Sequence, residues 1–270
     1  MATVNPVLIN LSQALPSDLP FWYPDGIMNP GSKLLFDFSN PACNANAAGL
    51  MSAGQTFTNL VSGAPVGTVN AATNTAYNPT NVGGNGGISF PGQNTNIGNV
   101  SLGSTYDMHA TNDDWLVILW LKLAATPINA NAYANIWGLQ SNAQNGLFAF
   151  DTGSDNKSPR VVANPQSNSP TPQPLGASFT LGSVQQVAVS WQKTGASSSV
   201  AKVFINGVFA FSFGAGGVTL LDMSAYSMNL GSAKMQGSIY MAYMEDLTVS
   251  GADPAAQVAT DFSLRTGVYA

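Results

Sequence analysis

Asn206-Gly207 stands between two short runs of β-forming residues, 201–205 before it and 208–213 after it. A two-residue type I′ turn needs positive φ at both central positions, and Asn-Gly supplies that more readily than other pairs. A hairpin is expected here. The same punctuation recurs along the chain: short apolar runs end at clusters of Gly, Pro, Asn and Ser. That is the pattern of an all-β sandwich or barrel. Strands are expected at 33–38, 88–90, Trp115–Leu123, 134–139, 146–151, 185–192, 237–244 and 247–249. Trp115–Leu123 is apolar almost throughout, as a central strand covered on both faces would be. In 185–192, Val187, Val189 and Trp191 share one face. Residues 45–87, 158–175 and 214–217 read as loops, with a strand near 55–61. The five prolines of 158–175 argue against a central strand there. Helical spacing appears once, near 253–264, where Asp253-Pro254 reads as an N-cap followed by Pro at the first helical position.

Composition excludes several functions. Charged residues make up 8% of the 270-residue chain, against about 25% in an average soluble domain. The chain has two arginines, Arg160 and Arg265, and a net charge of −5, so no nucleic-acid partner is expected. No apolar run is long enough to span a membrane as a helix. Met1-Ala2-Thr3-Val4 lacks the basic start and apolar core of a signal peptide, so synthesis in a host cytoplasm is expected. Cys43 and His109 are single, which excludes an intrachain disulfide and a two-His metal site. They read as a small buried side chain and a loop residue. Asn makes up roughly one residue in ten. Neutral polar groups suit dense packing of many copies, and equally a sugar-binding face.

The first thirty-two residues form a separate region, with five prolines spacing Val7-Leu8-Ile9 and Phe21-Trp22-Tyr23. This is expected to be an extended arm, docking on its own domain or on a neighbour. Residues 33–270 form the folded domain.

Chemistry is sparse. The chain has one glutamate, Glu245, whose neighbour Asp246 points to the opposite face of a regular strand. Neither Asp113-Asp114 nor Asp151 with Asp155 reads as the carboxylate pair of a glycosidase, and no enzyme activity is expected. The 151–156 loop, with Asp151 and Asp155, is the calcium candidate or a Gly-centred Asx turn. No other cofactor is indicated. Tyr77, Tyr106 and Tyr133 are the candidate glycan-stacking rings, or ordinary loop packing. Trp115, Trp120, Trp137 and Trp191 are expected in the core. The Asn-X-Ser triplets at Asn10, Asn99 and Asn156 read as chance matches.

Taken in order, these segments resemble the concanavalin-A-like, laminin-G-like jelly-roll domains of bacteriophage virion proteins. The resemblance rests on Leu35-Phe36-Asp37-Phe38, Gly87-Ile88-Ser89-Phe90, Trp115–Leu123, Val187-Ala188-Val189-Ser190-Trp191 and Lys202-Val203-Phe204-Ile205-Asn206-Gly207-Val208. It closes on 237–251. The resemblance implies two antiparallel sheets of about a dozen strands in all. It implies glycan binding, often with calcium, in many members, enzymes in others, and spacers or adhesion modules in the rest. Three classes stay open. The first is a structural protein on the outside of a phage particle, at head or tail, partnering other virion proteins. The second is a carbohydrate-binding adhesin that takes a host surface glycan. The third is a glycan-cleaving enzyme. The first is the expectation, with a homo-oligomer because so little charge opposes self-association.

Overall fold

The computed structural model describes residues 25–93, 98–103, 114–126, 134–139, 149–152, 158–162, 172–195, 198–214 and 228–269. Within them, two antiparallel sheets face each other. The larger holds β1 (Ser32–Asp37), β2 (Gly49–Leu50), β5 (Thr80–Asn81), β6 (Ile88–Pro91), β8 (Trp115–Leu123), β13 (Gln185–Gly195), β14 (Ser198–Ile205), β15 (Val208–Gly214) and β17 (Gln236–Asp246). Its order is β15-β14-β13-β8-β17-β6-β5-β2, with β1 also pairing β17. The smaller holds β3 (Thr56–Phe57), β4 (Gly67–Asn70), β7 (Asn99–Gly103), β9 (Asn135–Leu139), β10 (Ala149–Thr152), β11 (Pro159–Val162), β12 (Gln173–Pro174) and β16 (Met228–Leu230). Its order is β12-β11-β10-β9-β16-β7-β4-β3. A four-residue helix, α1 (Leu247–Ser250), precedes α2 (Pro254–Arg265).

β8 shows why the sequence runs apolar without alternation. Trp115, Val117, Leu119, Leu121 and Leu123 face the core between the sheets. Leu116, Ile118 and Trp120 face outward into a second buried cluster. That cluster is roofed by α2 and by Ile27 and Met28, which precede β1. Both faces are dry, so both must be apolar. β13 divides similarly, with Val187, Val189 and Trp191 inward and Ala188 outward. The hairpin forms as expected, with Asn206 at φ 51 and Gly207 at φ 80.

Four expectations are corrected. Residues 247–249 are helical: the Asp246 carboxylate accepts from Thr248 N and Val249 N and caps α1, turning the chain out of β17. Residues 45–87 are not one loop but carry β2, β3, β4 and β5, and the strand near 55–61 shrinks to Thr56–Phe57. Asparagine side chains hold this region together. Asn59 Oδ1 accepts from Leu35 N and Val61 N, and Asn78 ties Ala72 N to Met51 O. Asn81 donates to Asn46 O and Ala47 O, while Asn44 reaches Phe38 O and Asn81 Oδ1. Much of the asparagine content of this segment thus substitutes for backbone pairing that a sheet would supply. Finally, 158–175 contains β11 and the edge strand β12. Pro159 opens β11 and Pro174 closes the edge strand, positions where a missing N–H costs no ladder bond. Gly214, read as part of a loop tip, closes β15.

Candidate functional site: a cleft beside the C-terminal helix

α2 lies on the outer face of the larger sheet. Asp253 caps it through Ala255 N and Ala256 N, and Pro254 occupies its first turn. Val258, Asp261, Phe262 and Arg265 follow at i, i+3, i+4 and i+7, one face of a helix. Two of these four are charged, and Asp261 and Arg265 are buried.

Those two charges are the centre of a clasp. Arg265 Nη1 donates to Asp261 Oδ1 at 2.5 Å, and Nη2 donates to Asp25. The second oxygen of Asp261 accepts from Trp120 Nε1 and Gln186 Nε2, both at 2.7 Å. Gln186 also donates to Val258 O and accepts from Gly207 N. Helix, central strand, hairpin turn and the segment before β1 therefore converge on one ion pair. Burial pushes the Asp261 carboxyl above its ordinary pKa, against the pull of Arg265 and of the Trp120 and Gln186 donors. Burial opposes the charge on Arg265, but Asp261, Tyr269 and Asp25 outweigh it and hold its pKa above the ordinary value.

A second anchor lies beside it. Glu245 is fully buried and accepts from Asn29 Nδ2 at 2.8 Å and from the Tyr243 hydroxyl at 2.9 Å. Ser32 Oγ lies 2.9 Å from that hydroxyl. Gln257, on α2, donates to Ile27 O at 2.5 Å. Burial, then the Glu245 charge, pushes the Tyr243 phenol upward.

Between the end of α2, the chain that follows it and the hairpin turn lies a cleft of about 300 Å³. Its lining combines the apolar Trp120, Val184, Phe262 and Tyr269 with the polar Asn206, Arg265, Thr266 and Gly267. The rings are ordered against each other. Phe262 stacks on Trp120 at 5.8 Å, and Tyr269 meets Trp120 edge-on at 5.4 Å and Tyr240 at 5.3 Å. Thr266 and Gly267 form an exposed lip.

Every carboxylate whose side chain is described has a structural task. Asp25 and Asp261 hold Arg265, Glu245 holds Asn29 and Tyr243, and Asp246 and Asp253 cap helices. Asp37 accepts from Ser39, and Asp114 from Lys193 N. Such an arrangement presents no free acid–base pair of the kind glycoside hydrolysis needs. Among the described residues, no group of three or more His, Cys, Asp or Glu is placed to hold a metal.

Of the residues singled out in the sequence, Tyr77 ends a 3-10 turn that Asn74 caps. It is half-buried and does not line the cleft. Asp151 lies within β10, opposite Arg160 of β11. Tyr106, Tyr133, Asp155, His109 and the arm residues Val7, Leu8, Ile9, Phe21, Trp22 and Tyr23 lie outside the described residues. Cys43 is buried, and burial pushes its thiol up to about 12. The sequence reading placed Trp120 in the core, and it is buried there in the outer cluster. It missed Arg265. The available signal was an Asp261–Arg265 pair set between Val258 and Phe262 on the one helical stripe.

No protein-family model matches the chain, and no curated protein does. Solved structures do. The receptor-binding domain of botulinum neurotoxin D matches 87% of this chain at 13% identity and a TM-score of 0.54. The botulinum neurotoxin serotype D ligand-binding domain in complex with N-acetylneuraminic acid matches the same share at 14% and 0.55. This chain spans about half the length of those toxin domains, 53% and 51%. Domain 4 of AbnA, a GH43 extracellular arabinanase from Geobacillus stearothermophilus, in complex with arabinotriose, is matched over 98% of its own length. That match covers 86% of this chain at 16% identity, with a TM-score of 0.51. Together with the two facing antiparallel sheets, these likenesses show a lectin-like jelly-roll sandwich carrying a short C-terminal helix.

Proposed function

We propose that the chain is a non-catalytic carbohydrate-binding module whose ligand seats in the cleft beside α2. The carrying observation is the cleft itself. The cleft is lined by Trp120, Phe262 and Tyr269 together with Asn206, Thr266 and Arg265, a mixture of rings and hydrogen-bonding groups that a sugar can match. Its volume suits one or two sugar rings. The carboxylates among the described residues are occupied in clasps, caps and turns, which favours binding over cleavage. The neighbour that this chain covers almost end to end is described with an arabinose oligosaccharide, and a toxin neighbour with a sialic acid. The fold resemblance alone would not carry function.

A glycan array probed with the purified chain, with and without calcium, tests the reading. Thr266→Tyr fills the lip from an exposed position and leaves the clasp intact. Binding that this substitution abolishes is the expected result. A blank array, or binding that Thr266→Tyr leaves unchanged, overturns it.

The virion setting implied by the family resemblance is a second proposal, with which the low charge and the asparagine content are consistent. Immunogold label over intact particles supports it, and clean particles overturn it.

A further inference from the structure

The clasp beside the cleft carries more negative charge than positive. Arg265 is the only cation among the residues that line the cleft. Its two terminal nitrogens already donate to carboxylates, Nη1 to Asp261 and Nη2 to Asp25. Three N–H groups donate to Asp261, from Arg265, Trp120 and Gln186, and such donors favour the ionised form. One guanidinium thus stands against two carboxylates, and Asp261 and Arg265 are buried, where salt screens charge least. Asn206 supplies the amide of the cleft. Its Oδ1 accepts from Gln186 N at 3.0 Å, and its backbone N donates to Gln186 O at 3.0 Å. With the oxygen held in the turn, what the side chain has to offer a ligand is Nδ2, a pair of N–H donors.

Resting on the reading of the cleft as a glycan site, we infer that its ligand is a neutral saccharide and that Asn206 Nδ2 donates to one of the sugar oxygens. A hydroxyl or ring oxygen accepts from Nδ2 and brings no charge. The carboxylate of an acidic sugar would also accept, but it would be the third carboxylate for one guanidinium. It finds no uncommitted cation in the lining and adds to a negative charge already in surplus, on a chain whose net charge is −5. One surplus charge about 7 Å away costs about tenfold in affinity at an effective dielectric of about 40.

An array that holds each neutral oligosaccharide beside its uronic-acid or sialylated counterpart tests the charge. The neutral member is expected to bind about tenfold more tightly. Acidic members that bind as well or better overturn this inference and leave the cleft reading standing, whereas a blank array overturns both. Asp25→Asn keeps an oxygen for Arg265 Nη2 and removes the surplus charge, so the acidic-to-neutral ratio of Kd should fall toward one. A ratio cancels any general loss of stability, and an unchanged ratio overturns the charge argument. Asn206→Asp keeps the oxygen for Gln186 N, and Asp-Gly suits the same turn, but Nδ2 is replaced by an oxygen that cannot donate. Affinity for the neutral glycan is expected to fall about tenfold, with an unchanged far-UV circular dichroism spectrum. Should that variant fail to fold, Asn206→Gly decides, since it allows the positive φ of the turn and removes the amide. Affinity retained in the folded variant overturns the role of Asn206.

Discussion

The two faces of the larger sheet are both buried but are built from different materials. The inner face meets the smaller sheet through side chains that are almost all hydrocarbon: Val117, Leu119, Leu121, Val187, Val189 and Ile239. The outer face meets α2 through aromatic rings and a polar clasp of Asp25, Asp261, Arg265, Trp120 and Gln186. Apolar packing holds two sheets together without fixing much detail. The clasp holds one short helix in one place, because each of its groups is costly unless its partner is present. The difference explains where the cleft lies. A helix pinned at a fixed position leaves a fixed gap between its end and the hairpin turn.

The largest effect is expected where the clasp loses one member. Arg265→Met leaves Asp261 buried with no cation and should lower stability by about 3–5 kcal/mol in urea unfolding. Asp261→Leu with Arg265→Met should recover only part of that loss, because Trp120 Nε1 and Gln186 Nε2 then lose their acceptor. A double variant no more stable than the single one would mean that the clasp is more than a matched pair of charges. The inner face should lose a comparable or smaller amount from a simple cavity. Leu119→Ala is expected to cost about 2–5 kcal/mol, with no second substitution that restores it.

Alkaline pH tests the inner face in a second way. Cys43 belongs to the inner core, and its thiol is raised from 9.0 to about 12. Between those values the unfolded chain gives up a proton that the folded chain keeps. Stability from this group is therefore complete below pH 9 and falls as pH rises toward 12, by about 1.4 kcal/mol per unit. The slope should be steeper for the wild type than for Cys43→Ala, which removes the group. Equal slopes would contradict the buried thiol. The smallest effect belongs to the helix end: Asp253→Ala should cost about 1 kcal/mol by the same urea measurement, since Pro254 still favours the helix start.

The inner face was legible in the sequence because its signals are local. Alternation marked Val187, Val189 and Trp191, the Asn206-Gly207 turn fixed a hairpin, and Asp253-Pro254 marked the start of α2. The continuous run of Trp115–Leu123 even announced that the outer face was covered. What covers it was not legible. Asp25 and Arg265 are 240 residues apart, and nothing in the spacing of either points to the other. Residues 45–87 failed for a related reason: their strands are two to four residues long, and asparagine side chains far apart in sequence hold them in place. Tyr77 stands out in the sequence as an aromatic in an Asn-rich loop, whereas the rings that line the cleft are brought together from β8, α2 and the chain after it.

The five tryptophans offer the most direct test of the cleft as the binding site. Each indole N–H gives one proton–nitrogen correlation peak in NMR, and Trp120→Phe identifies that of Trp120. Titration with a glycan found on the array should move the Trp120 peak and leave the inner-core peaks of Trp115, Trp137 and Trp191 in place. Saturable binding with an unmoved Trp120 peak would contradict the assignment of the cleft.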